Sequence, residues 1–549
     1  NDTKFTFRDD GQGDDKKAGD GFYTAKIEAD VTAFRTTAMQ MAKEMKESGE
    51  KPFMFVNRSM VIDPDAIEGF DVSKFDNNIP VSIGSLSSPA GSGVLEALKA
   101  NSVFITNLAV VEDPTRTWNP CTQTGNIDGP WTFKTLFKAF ASADSNHLAT
   151  DQQISTLVKN FLNNWFLDKV INTDTVKARA LMKTLVYDPW MKKSKDGGSP
   201  TGVLDMKYAP FKLTSIVNRF DLRERVSGIP LGEGRFTFCL IDSNCSQVLP
   251  FTMVLEYRVK GGSSCDSLMT WAQKWYNLKD LAVGSAEYNT ALQTITDQFA
   301  KPGIKNTNGN NLLLHLRTND RALSPEPVTA EFREFILNDT TRLLVEVSTS
   351  QVPADRYNVQ IDNPAVRRMV DYINSNRSVI NKDQYTVPTI YLDSPFLAGA
   401  THILGPTVGM PPDVYHWDGI EIKHTPAYIK NTTTRHVFSL NTCSGCHSGE
   451  TQTNFTHVDA VMFGNEATLS GFLFGKAGQG GSIDFDNNPD NDSMIIKDAA
   501  NRPAANPQLR FFNETLRRAR DLKDFVSTPC LSPLQIRNQL MFRPVHMVH

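Results

Sequence analysis

Apolar side chains recur every three or four residues along several stretches of the chain, which is the pattern of a helix with one buried face. This spacing predicts a helix over residues 30–46, opened by Asp30 as a cap, and a second helix over residues 152–166. It also predicts helices over residues 266–278 and 286–299. Four amphipathic helices are therefore expected within the first 300 residues.

Two later helices are predicted to begin at an Asn-Pro pair. Asn363 and Pro364 open the first, because proline is favoured at the first helical position. Asn506 and Pro507 open the second, which is expected to run to about Phe525. The residues predicted to face inward in the first of these helices are Val366, Met369, Val370 and Ile373.

Alternation of apolar and polar residues predicts two neighbouring strands in the middle of the chain. Residues 235–240 and 251–257 each present one apolar face, and Asn244 lies in the turn between them. We expect these strands to pair antiparallel, with further strands over residues 311–317 and 342–348. The two apolar faces comprise Phe236, Phe238, Leu240, Phe251, Met253, Leu255 and Tyr257.

The predicted fold class is α+β, a chain of several parts with a central antiparallel sheet, several helices and a loop-rich C-terminal region. With 549 residues the chain is too long for one core. We predict an N-terminal α+β region with a flexible arm over residues 1–148, a central α+β domain over 149–400 and a C-terminal region over 401–549. Residues 383–442 are rich in Pro, Gly, Thr and Tyr and are expected to form loops and short strands.

Composition narrows the class of partner. The formal net charge of −4 is small for this length, so it gives no support for binding to nucleic acid or to an acidic membrane surface. No run of 18 or more apolar residues occurs, so no membrane span is predicted. Because the chain starts at Asn1 rather than Met, we expect either that a signal peptide has been removed or that the N-terminus has been trimmed.

Seven cysteines are too few for a disulfide-dense scaffold. Cys239, Cys245 and Cys265 lie close together in the sequence, which favours a local disulfide in an oxidising compartment. Buried free thiols are the alternative. Cys121 and Cys530 complete the set outside the motif described next.

Cys443, Cys446 and His447 form the most informative motif, Cys-Ser-Gly-Cys-His. From residue frequencies, about 0.002 accidental matches to Cys-x-x-Cys-His are expected in a chain of this composition. The segment resembles the haem-binding loop of c-type cytochromes. That resemblance implies one covalent haem c, with Cys443 and Cys446 as thioether anchors and His447 as the proximal iron ligand. It covers this loop alone, because the chain is too long for a small cytochrome c.

Two other interpretations of the motif stay open at this point. Cys443 and Cys446 could form a disulfide, although the preceding residues 437–440 are only a weak strand and a redox-active pair normally begins a helix after a buried strand. A zinc site would need a second Cys/His pair, for which His436 and His457 are the available residues.

The ligand on the other face of the iron would decide between electron transfer and catalysis. His457, ten residues after His447, is the first candidate, and Met462 is the second. His424 and His436 are further candidates. Other residues that could line a haem pocket are His402, Tyr415, His416 and Trp417.

An acidic loop after the motif offers a possible calcium site, because oxygen donors alternate along it. It lacks the glycine and the terminal glutamate of an EF-hand, and a solvated acidic loop without a metal is the alternative. The candidate ligands are Asp484, Asp486, Asn488, Asp490 and Asp492.

A second charged segment, Asn218 to Arg223, is interpreted as a buried ion-pair hub or a substrate clamp, with the structural role favoured. No Gly-x-Ser-x-Gly elbow and no Walker A motif occur in the sequence, so neither hydrolase nor nucleotide chemistry of those kinds is supported.

Three functions are consistent with the motif. The first is an extracytoplasmic monohaem electron-transfer protein, periplasmic or extracellular, that exchanges electrons with a redox partner protein or a small-molecule donor or acceptor. The second is a haem-dependent, peroxidase-like oxidoreductase with an open iron site. The third is a surface or assembly protein in which the haem is secondary. The sequence predicts neither the substrate nor the oligomeric state.

Overall fold

The structure of the chain is a computed structural model. It describes residues 89–223, 231–261, 265–305, 312–321, 323, 330–359, 363–381, 383, 385–403, 417–420, 427–429, 431–453, 455–475, 493–498 and 509–527. The predicted helix over residues 30–46, with its cap Asp30, lies outside the described residues.

The fold is α+β, as predicted, and is organised around one large antiparallel sheet of eight strands. The strands, in chain order, are β1 (Phe104–Ile105), β2 (Trp118–Asn119), β3 (Thr124–Gly125), β4 (Lys169–Ile171), β5 (Asp174–Val176), β6 (Phe211–Arg219), β7 (Glu233–Ile241), β8 (Val248–Arg258), β9 (Leu313–Asp320), β10 (Ala330–Asn338), β11 (Leu343–Val347), β12 (Ile390–Tyr391), β13 (Ser394–Pro395), β14 (Thr401–Ile403), β15 (Gly419–Ile420), β16 (Ala427–Tyr428), β17 (Met494–Lys497) and β18 (Leu509–Phe512). The large sheet has the order β1-β6-β7-β8-β9-β10-β11, with β14 also pairing with β10.

The α-helices surround this sheet. In chain order they are α1 (Pro89–Leu98), α2 (Leu108–Val111), α3 (Phe133–Ala141), α4 (Asp151–Asn163), α5 (Asp188–Asp196), α6 (Cys265–Asn277), α7 (Ala286–Ala300), α8 (Pro364–Ser375), α9 (Arg377–Asn381), α10 (Thr432–Leu440), α11 (Gly471–Phe474) and α12 (Glu514–Val526). Tighter or wider helical turns occur at Lys99–Val103, Met182–Tyr187, Met206–Tyr208, Phe220–Leu222, Leu278–Asp280, Asp355–Tyr357 and Gly445–Gly449.

The predicted strand pair is confirmed as β7 and β8, which align Phe236 with Leu255 and Phe238 with Met253. The predicted helices over 152–166, 266–278 and 286–299 are confirmed as α4, α6 and α7. α4 begins with a complete capping box between Thr150 and Gln153, which satisfies amide groups that a helix start leaves without partners.

α8 confirms the first of the two helices predicted to open with Asn-Pro. The Asn363 side chain accepts a hydrogen bond from the amide of Val366, and Pro364 is the first helical residue. The four residues predicted to face inward are all buried. The second predicted helix begins later than expected, because residues 509–512 form β18 and Asn513 caps α12.

The two faces of the large sheet differ in chemistry and pack against different parts of the chain. Phe236 and Phe238 face the helices, where Phe299 of α7 and Phe133 of α3 lie with ring centres 6.0 and 6.3 Å away. The alternate residues of the same strand, starting with Arg235, face the segment that follows α10. The motif lies on this second face.

Strands of the large sheet come from all three predicted regions, since β1 pairs with β6 and β14 pairs with β10. The described residues belong to one compact unit, Leu86–His549. The three-part division at residues 148 and 400 stays a prediction.

The prediction of a local disulfide among Cys239, Cys245 and Cys265 was wrong. Cys245 is bonded to Cys121, 124 residues away in sequence, with the two Cα atoms 5.8 Å apart. Cys239 is a buried free thiol that contacts the carbonyl of Val461. The reason is the hairpin geometry: Cys239 lies within β7, whereas Cys245 lies in the turn, outside the sheet.

Candidate functional site

The motif continues a helical segment that sequence analysis interpreted as a weak strand. Residues 432–440 form α10, capped by the side chain of Asn431, so the strand interpretation of residues 437–440 was wrong. Residues 443–444 are helical again and lead into the wide turn Gly445–Gly449. Cys443 and Cys446 are thus three residues apart on a helical backbone, which places both side chains on the same side of it.

Gly445 is required by the packing between the motif and α10. A β-carbon at this position would collide with the carbonyl oxygen of Ser439, near the end of α10. Glycine is the residue that permits such a close approach of two backbones. Gly445, between the two cysteines, therefore allows the motif to pack closely against α10.

Trp417 and Thr442 hold the start of the motif. The indole Nε1 of Trp417 donates a hydrogen bond of 3.0 Å to Oγ1 of Thr442, and the Gly445 amide donates to the same oxygen at 3.1 Å. The Thr442 hydroxyl donates to the carbonyl of Ser439 at 2.7 Å. Because Trp417 is fully buried, this arrangement fixes the helical turn that carries both cysteines.

His447 is buried and neutral, and its ring has a fixed orientation. Nδ1 lies 2.6 Å from the carbonyl oxygen of Phe455, which can only accept, so Nδ1 carries the hydrogen. Burial lowers the pKa of His447 to about 4. In this tautomer the lone pair lies on Nε2, the nitrogen that a metal would bind, and hydrogen bonding of the other nitrogen to a carbonyl is typical of metal-ligating histidines.

Cys446 and His457 form a hydrogen-bonded pair beside His447. The Cys446 sulfur lies 3.1 Å from Nε2 of His457, and burial raises the pKa of the Cys446 thiol well above its usual value, so the thiol is the donor. His457 Nδ1 in turn contacts Oγ of Ser470, the cap of α11, at 2.8 Å. These contacts hold the His457 ring next to the motif.

Cys443 and Cys446 are separate thiols, so the structure contains no disulfide within the motif. Burial raises the pKa of Cys443 to about 12, partly offset by the nearby charge of Arg317. Arg317 belongs to a buried network on the same face of the sheet, where it pairs with Glu256 at 3.3 Å and Glu334 at 3.1 Å. Cys443 therefore borders a charged layer, while Cys446 is part of the apolar core.

A small cavity lies between the motif and this face of the sheet. The side-chain amide oxygen of Asn319 is buried there and has no hydrogen-bond partner among the described residues. The cavity is lined by Phe104, Val217, Arg235, Thr237, Thr252, Val254, Asn319, His447, Thr456, His457 and Val458. Its walls thus combine a few polar groups with apolar side chains, as small-molecule sites do.

These residues can be tested against the requirements of a c-type haem. Two free thiols three residues apart and a neutral histidine with its Nδ1 anchored fit covalent attachment and one axial bond. The rings of His447 and His457 have centres 4.3 Å apart. Two metal–nitrogen bonds of about 2 Å already separate the bonded nitrogens by about 4 Å, and the ring centres lie further out. Ligation of the same iron by His457 stays a prediction that requires the rings to move apart.

Glu450, just after the motif, anchors a buried ion cluster. Although burial alone would raise the pKa of Glu450, Arg435 and His436 hold it far below its usual range. Arg435 also pairs with Asp498, which is shared with Arg510. Ligand atoms of His436, Glu450 and Asp498 lie within 4.8 Å of one another. Because two arginines bind these carboxylates, we assign the cluster to holding the motif segment rather than to a metal.

A second buried cluster contains the charged segment noted in the sequence. Arg219 pairs with Asp221, and Asp221 also accepts from Arg517 of α12 at 2.8 Å. Glu514 pairs with Arg517 at 2.7 Å. Burial raises the pKa of the Cys446 thiol, and the charges of Glu514, Arg518 and Arg219 also affect it. The interpretation of residues 218–223 as a buried ion-pair hub is confirmed.

No protein-family model, no curated protein and no solved structure matches this chain. Within the described part of the chain, no helix is both long and apolar enough to cross a membrane. The function is therefore inferred from the residues of the site itself.

The other residues proposed from the sequence are placed as follows. The backbone carbonyl of Met462 accepts a hydrogen bond from Lys212, and Met462 does not line the cavity at His447. His402 lies between Asp355 and Glu331, at 2.6 and 3.2 Å. Residues outside the described part of the chain are Tyr415, His416, His424, Asp484, Asp486, Asn488, Asp490 and Asp492.

Several residues of the site carried no signal in the sequence. Phe455, Ser470 and Arg518 contact or influence the motif only because the chain folds back over the sheet. A serine before a short apolar run is the one local hint, since Ser470 accepts from the amide of Leu473 as a helix cap.

Proposed function

We propose that this protein is an extracytoplasmic monohaem c-type cytochrome-like protein that transfers electrons through a haem bound at Cys443, Cys446 and His447. The single observation that carries the proposal is the hydrogen bond between His447 Nδ1 and the Phe455 carbonyl, which leaves the lone pair of a neutral imidazole on Nε2. Two reduced thiols on the same helical turn supply the attachment points.

Each residue of the motif has a defined chemical task in this proposal. Cys443 and Cys446 would hold the haem through two thioether bonds, and Nε2 of His447 would bind its iron. The haem, when bound, would supply the one-electron redox chemistry. Trp417 and Thr442 keep the helical turn in place.

Electron transfer is favoured over catalysis because the motif is enclosed. Cys446 and His447 are fully buried, and the aromatic rings of Phe332 and Phe455 lie against or near His447. A buried redox centre exchanges electrons without admitting a substrate. The redox partner is proposed to be another protein or a small-molecule electron donor or acceptor.

One observation favours a second function, that of a haem-dependent oxidoreductase with an open iron site. The cavity at His447 is lined by Arg235 and by Asn319, whose amide oxygen has no hydrogen-bond partner in the part of the chain that the structure describes. Polar groups beside a haem are what peroxide or oxygen chemistry requires. The spin state of the iron separates these two functions.

The proposed location is the periplasm or the extracellular space. The disulfide between Cys121 and Cys245 supports it, because disulfides persist in oxidising compartments. Covalent haem attachment requires the motif thiols to be reduced when the haem arrives, so the two pairs of cysteines would be in different chemical states.

The decisive experiment is spectroscopy of the purified full chain. We expect a reduced pyridine haemochrome spectrum typical of two thioethers, and haem retained on residues 443–447 in peptide mass mapping. A low-spin spectrum supports the electron carrier, and a high-spin spectrum supports the oxidoreductase. Cys446→Ala should leave one thioether, whereas Cys239→Ala, which removes another buried free thiol, should leave both. A wild-type protein without bound haem would refute the proposal.

A further inference from the structure

A second apolar core lies beside the motif and is rich in aromatic side chains. Trp417, Phe438 and Tyr372 belong to it, and all three are buried. Cys443 of the motif and Tyr391 pack against the same core from its edges. Because tryptophan and tyrosine can each lose one electron to a strong oxidant and recover it, their position next to a redox motif bears on how electrons reach that motif.

Trp417 is bonded directly to the motif. Its Nε1 donates a hydrogen bond of 3.0 Å to Oγ1 of Thr442, the residue covalently linked to Cys443. The same hydroxyl oxygen accepts from the amide of Gly445, between the two cysteines, at 3.1 Å. The indole is therefore coupled to the motif through hydrogen bonds and covalent bonds of the chain itself.

Ring contacts continue from Trp417 towards the surface. The ring centre of Phe438, on α10, lies 5.7 Å from that of Trp417 and 6.2 Å from that of Tyr372, on α8. Tyr372 packs edge to face against Tyr391, on β12, with ring centres 5.1 Å apart. Since these are the distances of aromatic rings in contact, the four rings form one continuous series.

Tyr391 has the chemistry expected of the outer end of such a series. It is half-buried, and its hydroxyl donates a hydrogen bond of 2.8 Å to the carboxylate of Asp371, an exposed residue. Burial and this carboxylate raise the pKa of Tyr391 to about 12, so the phenol is protonated. A tyrosine that loses an electron also gives up this proton, and Asp371 is within reach to accept it.

Tyr357 provides the contrast within the same core. Its ring packs against Phe396 with ring centres 4.8 Å apart, and Tyr391 also packs against Phe396, at 5.4 Å. The Tyr357 hydroxyl, however, donates to the carbonyl oxygen of Pro395 at 2.7 Å. A carbonyl accepts a hydrogen bond but is too weak a base to take the proton, so Tyr391 is the better suited of the two for reversible oxidation.

We propose that four rings carry single electrons from a donor at the surface to an oxidised centre at the motif, in the order Tyr391, Tyr372, Phe438 and Trp417. Tyr391 passes an electron inward and its proton to Asp371, then takes an electron from the donor and recovers the proton. Two such turns reduce one molecule of hydrogen peroxide to two of water, with two protons from the solvent.

This inference rests on the proposed function and deepens its oxidoreductase form. A tyrosine yields an electron only to a strong oxidant, and a haem supplies one after it has reacted with a peroxide. The motif is enclosed, because Cys446 and His447 are fully buried. With an electron route to Tyr391, an enclosed motif can oxidise a donor that never enters the protein.

The first experiment needs no haem. A laser pulse ionises tryptophan in the full chain, a cobalt(III) complex takes up the ejected electron, and a nitroso spin trap labels tyrosyl radicals for peptide mapping. Trp417→Phe should lose most of the label at Tyr391. Trp165→Phe removes another fully buried indole, which packs against Phe335 on the helix-facing side, and as the matched control it should keep the label. Equal labelling of Tyr391 in the two variants would overturn the route.

The second experiment adds hydrogen peroxide to the haem-loaded full chain and records electron paramagnetic resonance spectra of freeze-quenched samples. Wild type should show a tyrosyl radical that Tyr391→Phe loses and Tyr357→Phe keeps. Asp371→Asn retains a hydrogen-bond acceptor without the base, so it should lower the radical yield although the ring is unchanged. A radical of equal yield in Tyr391→Phe and wild type would overturn the assignment of Tyr391.

The two experiments separate failure of this inference from failure of the proposed function. A wild-type chain that holds no haem would refute the proposed function, and the label at Tyr391 would then decide the route by itself. A haem-loaded chain that forms no tyrosyl radical with peroxide would overturn the inference and leave haem attachment standing.

Discussion

On the helix-facing side of the central sheet, Phe236 and Phe335 pack against aromatic side chains of the surrounding helices. On the opposite side, Glu256, Arg317 and Glu334 form a buried charged network under the motif segment. Both sides are closed to water, yet apolar contact stabilises one and ion pairing the other. Apolar burial is non-directional, whereas a buried charge is stable only while each partner stays in place.

The difference explains where a cofactor site can be built into such a fold. The helix-facing side fills its space with interlocking rings and leaves little freedom for another group. The motif-facing side contains groups with unused bonding capacity, such as the amide oxygen of Asn319, which has no partner among the described residues. Substitutions on the two sides should therefore destabilise the protein for different physical reasons.

The largest effect is expected on the helix-facing side. Phe335→Ala removes a ring that lies 5.2 Å from Phe161 and 5.4 Å from Trp165, and should lower the free energy of unfolding by about 4 kcal/mol. Urea denaturation measures this. Ile336→Ala, at an exposed position on the same strand, should cost below about 1 kcal/mol. Similar losses for both variants would contradict the assignment of this side as the main source of stability.

Breaking one ion pair on the motif-facing side should cost nearly as much, for another reason. Arg317→Met leaves Glu256 and Glu334 short of a buried cation, and we expect a loss of about 3 kcal/mol. Adding Glu334→Gln removes one of the uncompensated charges. The double variant should therefore be about 1–2 kcal/mol more stable than the sum of the single losses predicts. Strict additivity would show that the two groups do not interact.

The sequence predicted the elements whose two sides differ in polarity and missed those whose polar side is also buried. β6 lost its alternation at a register shift between Leu213 and Ser215, so the run did not resemble a strand. β10 contains Glu331, Arg333 and Glu334, which look exposed in sequence but are buried as ion pairs. Burial of paired charges is a tertiary property, and no local pattern encodes it.

For the same reason, the sequence predicted the motif itself but not the residues that surround it. The five residues from Cys443 to His447 could be found because the chemistry of attachment fixes their spacing. Ser470 and Arg518, which contact or influence them, lie tens of residues away and have ordinary local surroundings. α10 was missed because its three threonines and Val437 favour strands, while its cap Asn431 and the buried pairing of Arg435 favour the helix.

The helix-facing side also contains charged residues, and the pH dependence of stability measures what one of them, His402, contributes. His402 hydrogen bonds to Asp355 and Glu331, which raise its pKa to about 9 although burial opposes the shift. A raised pKa contributes stability that is complete below about pH 6.5 and is lost as the pH rises through about 9. The side chain is 26 % exposed, so we expect a loss of about 1–2 kcal/mol after allowing for screening.

Urea denaturation between about pH 6 and pH 10 measures this loss. His402→Gln has no charge to lose, so its stability should fall less over the same range. A wild-type protein whose stability changes no more than that of His402→Gln would show that the two carboxylates do not hold a charged histidine there.

The smallest effect comes from two buried tryptophans that differ in one hydrogen bond. Trp417, beside the motif, donates its indole N–H to Thr442, whereas Nε1 of Trp165, on the helix-facing side, has no hydrogen-bond partner among the described residues. Trp→Phe removes the same atoms at both positions, so the loss of packing is similar.

The Trp417 variant additionally loses a hydrogen bond worth about 1 kcal/mol, while the Trp165 variant removes a buried donor that was never satisfied. Trp417→Phe should therefore be the more destabilising by about 1 kcal/mol in urea denaturation, and it should also weaken the hold on the turn that carries Cys443. Equal losses would mean that the bond to Thr442 contributes nothing, and that packing alone positions the motif.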